Sequence, residues 1–265
     1  MPTFRAPRGT RDLLPAERVV WARLEAAADD LAGRYGYRGI ETPLFEQTAV
    51  FERGIGAVTD VIEKELFRVS PSRGEERERW ALRPEATAGI VRAYIEHGMH
   101  TLPQPLKLSL LGPMFRYDRP QAGRYRQHVQ WDVEAIGDPG PGVDAELIDL
   151  ALRFYAESGL VDVWVKLNTI GDPVCRPAYL VTLSAFYRER AAELAPADRA
   201  RVETNPMRLL DSKEATTRAV TRDAPLLWDH LCEPCAAHFA AVRLHLDVLG
   251  IAYQLAPEIV RGQDY

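Results

Sequence analysis

The stretch GPMFRYDRPQAGRYRQHVQWDVE, residues 112–134, carries the most informative pattern in the chain. It predicts a strand that runs to Tyr117, an arginine-rich loop, and a second strand that returns from Arg126. Because side chains alternate between the two faces of a strand, the returning strand has one polar and one apolar face. The polar face consists of Gln130, Asp132 and Glu134, and the apolar face of Val129, Trp131, Val133 and Ala135. We expect the apolar face to pack on a core.

Arginines are concentrated in the loop of this hairpin, beside the polar face. They are Arg116, Arg119, Arg124 and Arg126. Two carboxylates and an amide next to guanidinium groups suit a ligand that is both cationic and phosphorylated. The same alternation is also typical of an antiparallel hairpin with one solvated face. The strand pattern alone leaves both interpretations open.

The composition predicts a soluble globular chain of one large domain or two smaller ones. The 265 residues are 46% hydrophobic and 27% charged. No apolar run approaches the roughly 20 residues that span a bilayer, and the N-terminus lacks an apolar signal core, so we expect a cytoplasmic protein without membrane contact. The net charge of −5 excludes a uniformly basic nucleic-acid binder but permits RNA contact through a local basic loop.

The order of the predicted elements indicates an α+β fold with an antiparallel sheet. Strands come first, whereas residues 176–249 are rich in Ala, Leu, Arg and Glu and predict several helices broken at prolines. This order is typical of the α+β class rather than of alternating βαβ units. The sequence has no GxGxxG or P-loop motif, which excludes the usual dinucleotide and NTPase sites.

Several neighbouring segments have clear local patterns. Tyr37–Glu46 predicts an extended strand interrupted by Pro43, which belongs at a sheet edge or an interface. Asp144 is a candidate N-cap for a helix that ends at Glu157. Glu85–Met99 predicts a helix with one buried stripe. The stripe consists of Ile90, Val91, Tyr94 and Ile95.

The three cysteines do not form a disulfide framework in this interpretation. Cys175, Cys232 and Cys235 are few and odd in number in a chain without a secretory signal. CEPCAAH, from Cys232 to His238, has a zinc-like C-x2-C-x2-H spacing, but zinc normally takes four ligands. Cys175 could supply the fourth only through a fold that the sequence does not reveal. We therefore predict free thiols in a helical segment and no metal site.

Four segments resemble, in the same order, the signatures of one enzyme family. The histidyl-tRNA synthetases, which are class II aminoacyl-tRNA synthetases, carry sequences similar to PRGTRDLLP (7–15), LRPEATAG (82–89), GPMFRYDRPQAGRYRQ (112–127) and VRGQDY (260–265). The third segment resembles motif 2 of class II enzymes, and Tyr37–Glu46 resembles motif 1. Four matches in order are far more specific than one hexamer.

The resemblance implies a domain organisation. It implies a class II synthetase-like antiparallel sheet flanked by helices, with a helical insertion after motif 2. It places the catalytic core at residues 1–172, the insertion at 173–249 and a returning core strand at 250–265. Motif 3 and an anticodon-binding domain follow in such enzymes, so we expect the isolated 265-residue chain to charge tRNA poorly or not at all.

The resemblance also implies a two-step reaction. Histidine attacks the α-phosphate of ATP to give histidyl-adenylate and pyrophosphate, and the histidyl group then passes to the tRNA acceptor end. ATP enters as a substrate together with Mg²⁺. The motif 1 segment implies a homodimer.

Roles for individual residues follow from the matched positions. Arg116 and Arg261 match catalytic arginines that contact the α-phosphate, and Arg124 matches a contact to the ATP phosphates. Glu134 matches the carboxylate that accepts the imidazole N–H, and Tyr265 helps to close the pocket. The histidine-binding residues implied by the resemblance are Glu85, Ala86, Thr87, Arg116, Gln130, Glu134, Arg261 and Tyr265.

The chain departs from the family pattern at two of these segments. Ala86 replaces a glycine, which adds a methyl group and removes access to positive φ. Gln263 replaces a leucine and puts an amide where an apolar contact is usual. A further ambiguity concerns Asp132, which shares a strand face with Glu134. Periodicity cannot choose between these carboxylates, whereas the resemblance selects Glu134.

Two other functions are compatible with parts of the sequence. A synthetase-like regulatory subunit of histidine biosynthesis would bind histidine or a partner enzyme without charging tRNA. Such proteins typically lose the motif 2 arginines, and all four are present here. A simple RNA-binding fragment is disfavoured by the acidic net charge.

Overall fold

The computed structural model describes residues 4–55, 64–70, 79–119, 121 and 123–260. The chain forms two compact units. The described residues within 1–139 and 150–161 belong to the first, and those within 140–149 and 162–262 to the second. The helices and strands confirm the predicted α+β class.

The α-helices are α1 (Pro15–Arg34), α2 (Thr48–Ile55), α3 (Thr87–Glu96), α4 (Pro141–Glu157), α5 (Arg176–Glu189), α6 (Pro196–Arg199), α7 (Arg201–Thr204), α8 (Ala215–Thr221) and α9 (Glu233–Val248). The strands are β1 (Arg38–Gly39), β2 (Phe45–Gln47), β3 (Arg68–Val69), β4 (Trp80–Leu82), β5 (Leu106–Phe115), β6 (Gln127–Ile136), β7 (Val165–Leu167) and β8 (Tyr253–Leu255). They form two three-stranded sheets, with strand orders β1-β5-β6 and β2-β4-β3, and a two-stranded β7-β8 pair.

The predicted arginine-rich hairpin is confirmed as the long antiparallel pair of β5 and β6. Strand β1 adds to β5 in parallel, so this sheet is mixed rather than wholly antiparallel. Beyond the ladder, the Arg116 N–H donates to the Arg126 carbonyl at 2.9 Å. This hydrogen bond continues the pairing of the two strands to the start of the loop. The hairpin therefore positions the end of one strand opposite the start of the next.

The expected burial of the two hairpin faces is partly correct. The apolar face packs where Trp131 lies against Phe154, with ring centroids 4.9 Å apart, but the polar face is also covered. Residues directly opposite each other in an antiparallel pair lie on the same face, and the register sets Leu110 opposite Asp132 and Leu108 opposite Glu134. This face contributes to an apolar cluster that includes α3, and Asp132 is only 9% exposed. Val129, on the apolar face, is 37% exposed. The polar side chains thus lie on the more covered face.

Two local predictions also change. The segment Tyr37–Glu46 divides into β1 and β2, which belong to different sheets, and Pro43 lies between them. A residue without an N–H is accommodated there at no cost to either ladder. Helix α4 begins at Pro141, so Asp144 lies in its first turn rather than at its N-cap.

The predicted buried stripe of α3 is half correct. Ile90 is fully buried, together with Ala86 and Ala93. Val91 and Ile95 are 38% and 66% exposed, because the face that packs on the sheet is centred on the small residues of the helix. The apolar pattern of the sequence is wider than the contact that the sheet provides.

The second unit confirms the predicted helical region. Residues 176–249 contain helices α5 to α9 and no strand. Prolines lie in the first turn of several of these helices, where a missing N–H costs little. An apolar cluster around Tyr179, Leu183 and Tyr187 forms the core of this region. Strand β7 precedes this region in the sequence and strand β8 follows it, and the two strands pair in parallel.

Among the described residues, no helix combines the length and the apolar character needed to cross a membrane.

Candidate active site

Three carboxylates, Glu85, Asp132 and Glu134, come together where the start of α3 lies over the hairpin. Asp132 and Glu134 point from the same face of β6, because they are two residues apart. Glu85 precedes α3, and its charge acts on that of Asp132. Grouped carboxylates on a covered face favour a cationic ligand, since each one destabilises the charge of the others.

Asp132 has one satisfied and one unsatisfied oxygen. The Gln130 side-chain amide donates to its Oδ1 at 2.7 Å. Its buried Oδ2 has no hydrogen-bond partner among the residues that the structure describes. Burial, with the negative charges of Glu85 and Glu134, raises the pKa of Asp132 to about 6. A buried acceptor without a donor is costly, and a ligand N–H would remove that cost.

Glu85 is held at the N-terminus of α3. Its carboxylate accepts the backbone N–H of Ala88 at 3.0 Å, which caps the helix. Glu85 is 3% exposed, and this burial raises its pKa, while the capping hydrogen bonds and the nearby charge of Arg116 act in the opposite direction. The local donors and Arg116 therefore offset only part of the effect of burial on Glu85.

Thr87 links the helix to the hairpin. Its hydroxyl donates to Glu134 Oε1 at 2.6 Å. The hydrogen bond fixes the start of α3 against β6 and places Glu85, Thr87, Gln130 and Glu134 in one group. Sequence reasoning predicted all four as binding residues.

Arg83 is a member of the site to which sequence reasoning gave no role. Its guanidinium is buried and donates to the Pro113 carbonyl at 3.0 Å and to the Thr42 carbonyl at 2.9 Å. Burial lowers its pKa, and the carboxylate of Asp132 partly offsets this effect. A Cβ at Gly112 would lie 2.5 Å from Arg83 Nη2, so the glycine makes room for the guanidinium. The arginine next to a proline in LRPEATAG was the available signal, but the sequence does not show that it is buried.

Arg116 approaches the carboxylates from the other end of the hairpin. Its Nε donates to the Pro84 carbonyl at 2.8 Å, which holds the guanidinium beside Glu85. The remaining N–H donors of such a group form a planar fork that matches phosphate or carboxylate oxygens. The site therefore combines carboxylate acceptors with at least one positioned guanidinium group.

The family is decided by comparison with known proteins. The family model described as Histidyl-tRNA synthetase matches residues 9–172. The chain belongs to the histidyl-tRNA synthetase family.

Individual relatives agree with this membership. The chain is 48% identical over 259 residues to "Histidine--tRNA ligase" of Desulforudis audaxviator, covering 98% of this chain and 61% of the relative. It is 48% identical over 262 residues to the protein of the same name in Thermosynechococcus vestitus, covering 99% and 60%. The crystal structure of apo S. aureus histidyl-tRNA synthetase superposes with a TM-score of 0.74 at 35% identity, covering 99% of this chain and 59% of that one. The chain thus spans about three fifths of these relatives' lengths.

The arginines of the histidyl-tRNA synthetase hairpin differ in their surroundings. Arg124 Nη1 lies 3.3 Å from Asp118 Oδ2, and its side chain is 65% exposed. An exposed pair of this kind contributes at most about 1 kcal/mol, so Arg124 can exchange partners readily. Arg126 stacks 3.7 Å from the centre of the Tyr117 ring and donates to the Arg8 carbonyl at 3.2 Å. Arg126 therefore anchors the N-terminal segment to the hairpin.

Ala86, the departure from the family's glycine, fits without backbone strain. Its φ and ψ are −102° and −27°, an ordinary right-handed conformation. Its side chain is fully buried in the apolar cluster with Ile90 and Met114. The position does not need positive φ, so the added methyl group contributes to the core.

Arg261, Gln263 and Tyr265 lie outside the described residues. Their roles therefore stay predictions.

A separate cleft of about 890 Å³ lies along α2 and α3. It includes Thr87 and the exposed Val91 and Ile95, and its lining also includes Glu46 and Gln47 of β2. None of the three carboxylates of the hairpin face is among the residues that line it.

Proposed function

We propose that the hairpin face activates histidine with ATP to form histidyl-adenylate, and that the whole protein transfers the histidyl group to tRNA. The observation that carries the proposal is the grouping of Glu85, Asp132 and Glu134 beside Arg116. Histidine offers an ammonium and a ring N–H to carboxylates, and ATP offers phosphate oxygens to an arginine. The grouping therefore offers both kinds of partner that the two substrates need.

In the first step, a carboxylate oxygen of histidine attacks the α-phosphorus, and the bond to the bridging oxygen of pyrophosphate breaks. Negative charge develops on the α-phosphate oxygens, where Arg116 would stabilise it. Arg261 would share this task, and Arg124 would contact the outer phosphates. The protein supplies position and electrostatic stabilisation, and no covalent enzyme intermediate is needed.

Histidine would be selected at both of its ends. Glu85, Thr87 and Gln130 would accept the α-ammonium group, and Glu134 would accept the ring N–H. The unsatisfied Oδ2 of Asp132 lies on the same face and is the competing acceptor. A pocket with buried polar groups rejects analogues that leave those groups unpaired, so selection does not need an editing site.

Mg²⁺ would enter with the ATP phosphates. Among the described residues, the three carboxylates of the hairpin face do not form a group of ligands close enough to hold a metal ion. The ion would therefore belong to the nucleotide substrate.

We further propose a cytoplasmic homodimer that contacts the acceptor end of tRNA, with a catalytic core at 1–172, an insertion at 173–249 and a returning core strand at 250–265. The exposed apolar side chains of Leu44 and Phe45, in the segment that resembles motif 1, support a subunit contact there. The exposed Arg124 supports a local contact to phosphates.

The alternative, a regulatory protein that binds histidine without activating it, is separated by two measurements. The protein expressed from its complete gene would be tested for histidine-dependent exchange of pyrophosphate into ATP, with histidine binding measured by calorimetry in parallel. We expect exchange that requires histidine. Binding without exchange would favour the regulatory role, and the absence of both would overturn the proposal.

A further inference from the structure

A second group of reactive side chains lies in the second unit, within residues 171–235. It consists of Asp172, Cys175, Cys232 and Cys235, whose Oδ and Sγ atoms all lie within 4.8 Å of one another. The sequence predicted no metal site, because zinc normally takes four ligands and the sequence did not reveal whether Cys175 could join Cys232, Cys235 and His238. The fold supplies two ligands from the turn before α5 and two from the turn at the start of α9.

The turn before α5 presents Asp172 and Cys175 together. Asp172 Oδ1 accepts the N–H groups of Val174 and Cys175, both at 2.9 Å. These bonds leave Oδ2 facing Cys232, whose Sγ lies 3.7 Å away. Gly171 has a φ of +60°, and a Cβ there would lie 2.7 Å from Cys175 Sγ. Only glycine allows the turn to bring the sulfur this close to the backbone.

The spacing suits a tetrahedral ion. Zinc binds sulfur at about 2.3 Å and carboxylate oxygen at about 2.0–2.2 Å, which puts neighbouring ligand atoms roughly 3.5–3.8 Å apart in a tetrahedron. The 3.7 Å separation of Cys232 Sγ and Asp172 Oδ2 has this value, and the remaining atoms lie within 4.8 Å.

We propose that Asp172, Cys175, Cys232 and Cys235 bind one Zn²⁺ ion. Three sulfur ligands select a soft or borderline cation over Mg²⁺ and Ca²⁺, and four closed ligands are typical of a structural rather than a catalytic zinc. The ion would connect both ends of the helical region between Cys175 and Cys232.

The thiols and Asp172 influence one another's ionisation. Burial and the neighbouring thiols and Asp172 raise the pKa of Cys235 to about 12. Burial acts in the same direction on Cys175, but hydrogen bonds from the backbone of Asp172 and Cys232 lower its pKa. A bound divalent cation favours the ionised form of every ligand, so it deprotonates its thiol ligands.

His238 is not part of the ligand set, although the sequence spacing included it. Its Nε2 lies 2.7 Å from Asp144 Oδ2 on α4, so it is engaged with another carboxylate. The C-x2-C-x2-H interpretation and the Asp172 set therefore predict different ligands, which makes His238 a matched control.

The metal content of the reduced chain tests the proposal. The 265-residue chain would be stripped with a chelator under a phosphine reductant, reloaded with ZnCl₂, desalted and analysed by mass spectrometry for zinc per chain. We expect one zinc per chain, and with CoCl₂ the absorption of tetrahedral cobalt bound to thiolates. A folded chain that retains no zinc above the buffer blank, or that is isolated without air as a stable Cys232–Cys235 disulfide, would overturn the site.

Variants identify the ligands. Cys232→Ser and Asp172→Asn should each weaken zinc retention against a competing chelator by at least tenfold, whereas His238→Asn should retain zinc like the wild type. Should a variant fail to fold, thiol titration of the wild-type chain gives a second readout, because zinc should protect all three cysteines from a thiol reagent. Full reactivity of the thiols with zinc present, or loss of zinc in His238→Asn, would contradict the assigned ligands. These results do not depend on adenylation activity, so they test the zinc site separately from the proposed function.

Discussion

Two aspartates that lie beside other titratable groups, Asp132 on the hairpin face and Asp172 before α5, have pKa values that are shifted in opposite directions. Burial and neighbouring carboxylates raise the pKa of Asp132 to about 6, and one of its oxygens has no partner among the described residues. Backbone N–H groups, first that of Cys175, lower the pKa of Asp172. The backbone of its own turn stabilises the charged form of Asp172. The charged form of Asp132 lacks such donors and is destabilised by burial.

The difference suggests how each site uses its ligand. A group whose donors are built into a local turn keeps its geometry without a ligand, which suits a structural ion. A group left with an unsatisfied oxygen is stabilised when a cationic substrate arrives, which suits reversible binding. The predictions below test this contrast in order of decreasing effect.

The largest effect is expected at Arg116, which faces the ligand side of the hairpin. In the protein expressed from its complete gene, Arg116→Ala should lower histidine-dependent pyrophosphate exchange about 100-fold or more, the scale of losing one transition-state donor. Arg261→Ala should have a similar effect. Arg222→Ala, at an exposed position after α8, is the control and should leave exchange unchanged. Exchange within twofold of the wild type in Arg116→Ala would remove this arginine from the mechanism.

The raised pKa of Asp132 predicts a dependence of stability on pH. The folded state holds this proton up to about pH 6, whereas the unfolded carboxyl loses it near the ordinary aspartate pKa of 3.8. The folded chain therefore binds more protons between these values, and its free energy of unfolding falls as pH rises through this window, by at most about 3 kcal/mol.

Asp132→Asn should remove this fall, because the amide does not titrate. Denaturant unfolding of both proteins at several pH values between 4 and 7 measures the difference. If the free energy of unfolding changed with pH in the same way in both proteins, the folded state would not raise the pKa of Asp132.

A smaller effect is expected where the hairpin makes room for Arg83. Gly112→Ala places a methyl group 2.5 Å from Arg83 Nη2, so the buried guanidinium must move and the chain should lose about 1–3 kcal/mol of unfolding free energy. Gly142→Ala in α4 meets no atom within 4 Å and should be neutral or slightly stabilising. Equal stabilities of the two variants would show that Arg83 is not fixed by its neighbours.

The hairpin was predictable because its information is local. Alternation along β6 and the loop arginines define the strands and the polar face without any knowledge of the rest of the chain. The burial of that face was not predictable, since it depends on Leu108 and Leu110 of β5 and on the packing of α3. The same reason explains why Arg83 was missed and why Val91 was wrongly expected to be buried.

The cysteine group shows the limit of sequence spacing most clearly. Cys232 and Cys235 are three residues apart in sequence, and the nearby His238 extends them to a zinc-like spacing. Their partners Asp172 and Cys175 lie about 60 residues earlier and meet them only through the helical fold between. A carboxylate gives no signal in cysteine and histidine spacing, so the sequence did not indicate that Asp172 lies beside the three thiols.

The central claim is that the hairpin face reads histidine through Glu134. The most direct test compares the KM for histidine and for ATP in Glu134→Gln and Asp132→Asn, measured by pyrophosphate exchange with the protein expressed from its complete gene. We predict that Glu134→Gln raises the KM for histidine at least tenfold, about 1.4 kcal/mol, and leaves that for ATP nearly unchanged. An unchanged KM for histidine in Glu134→Gln, together with a tenfold higher KM for histidine in Asp132→Asn, would contradict the account. That result would assign the imidazole N–H to the unsatisfied oxygen of Asp132.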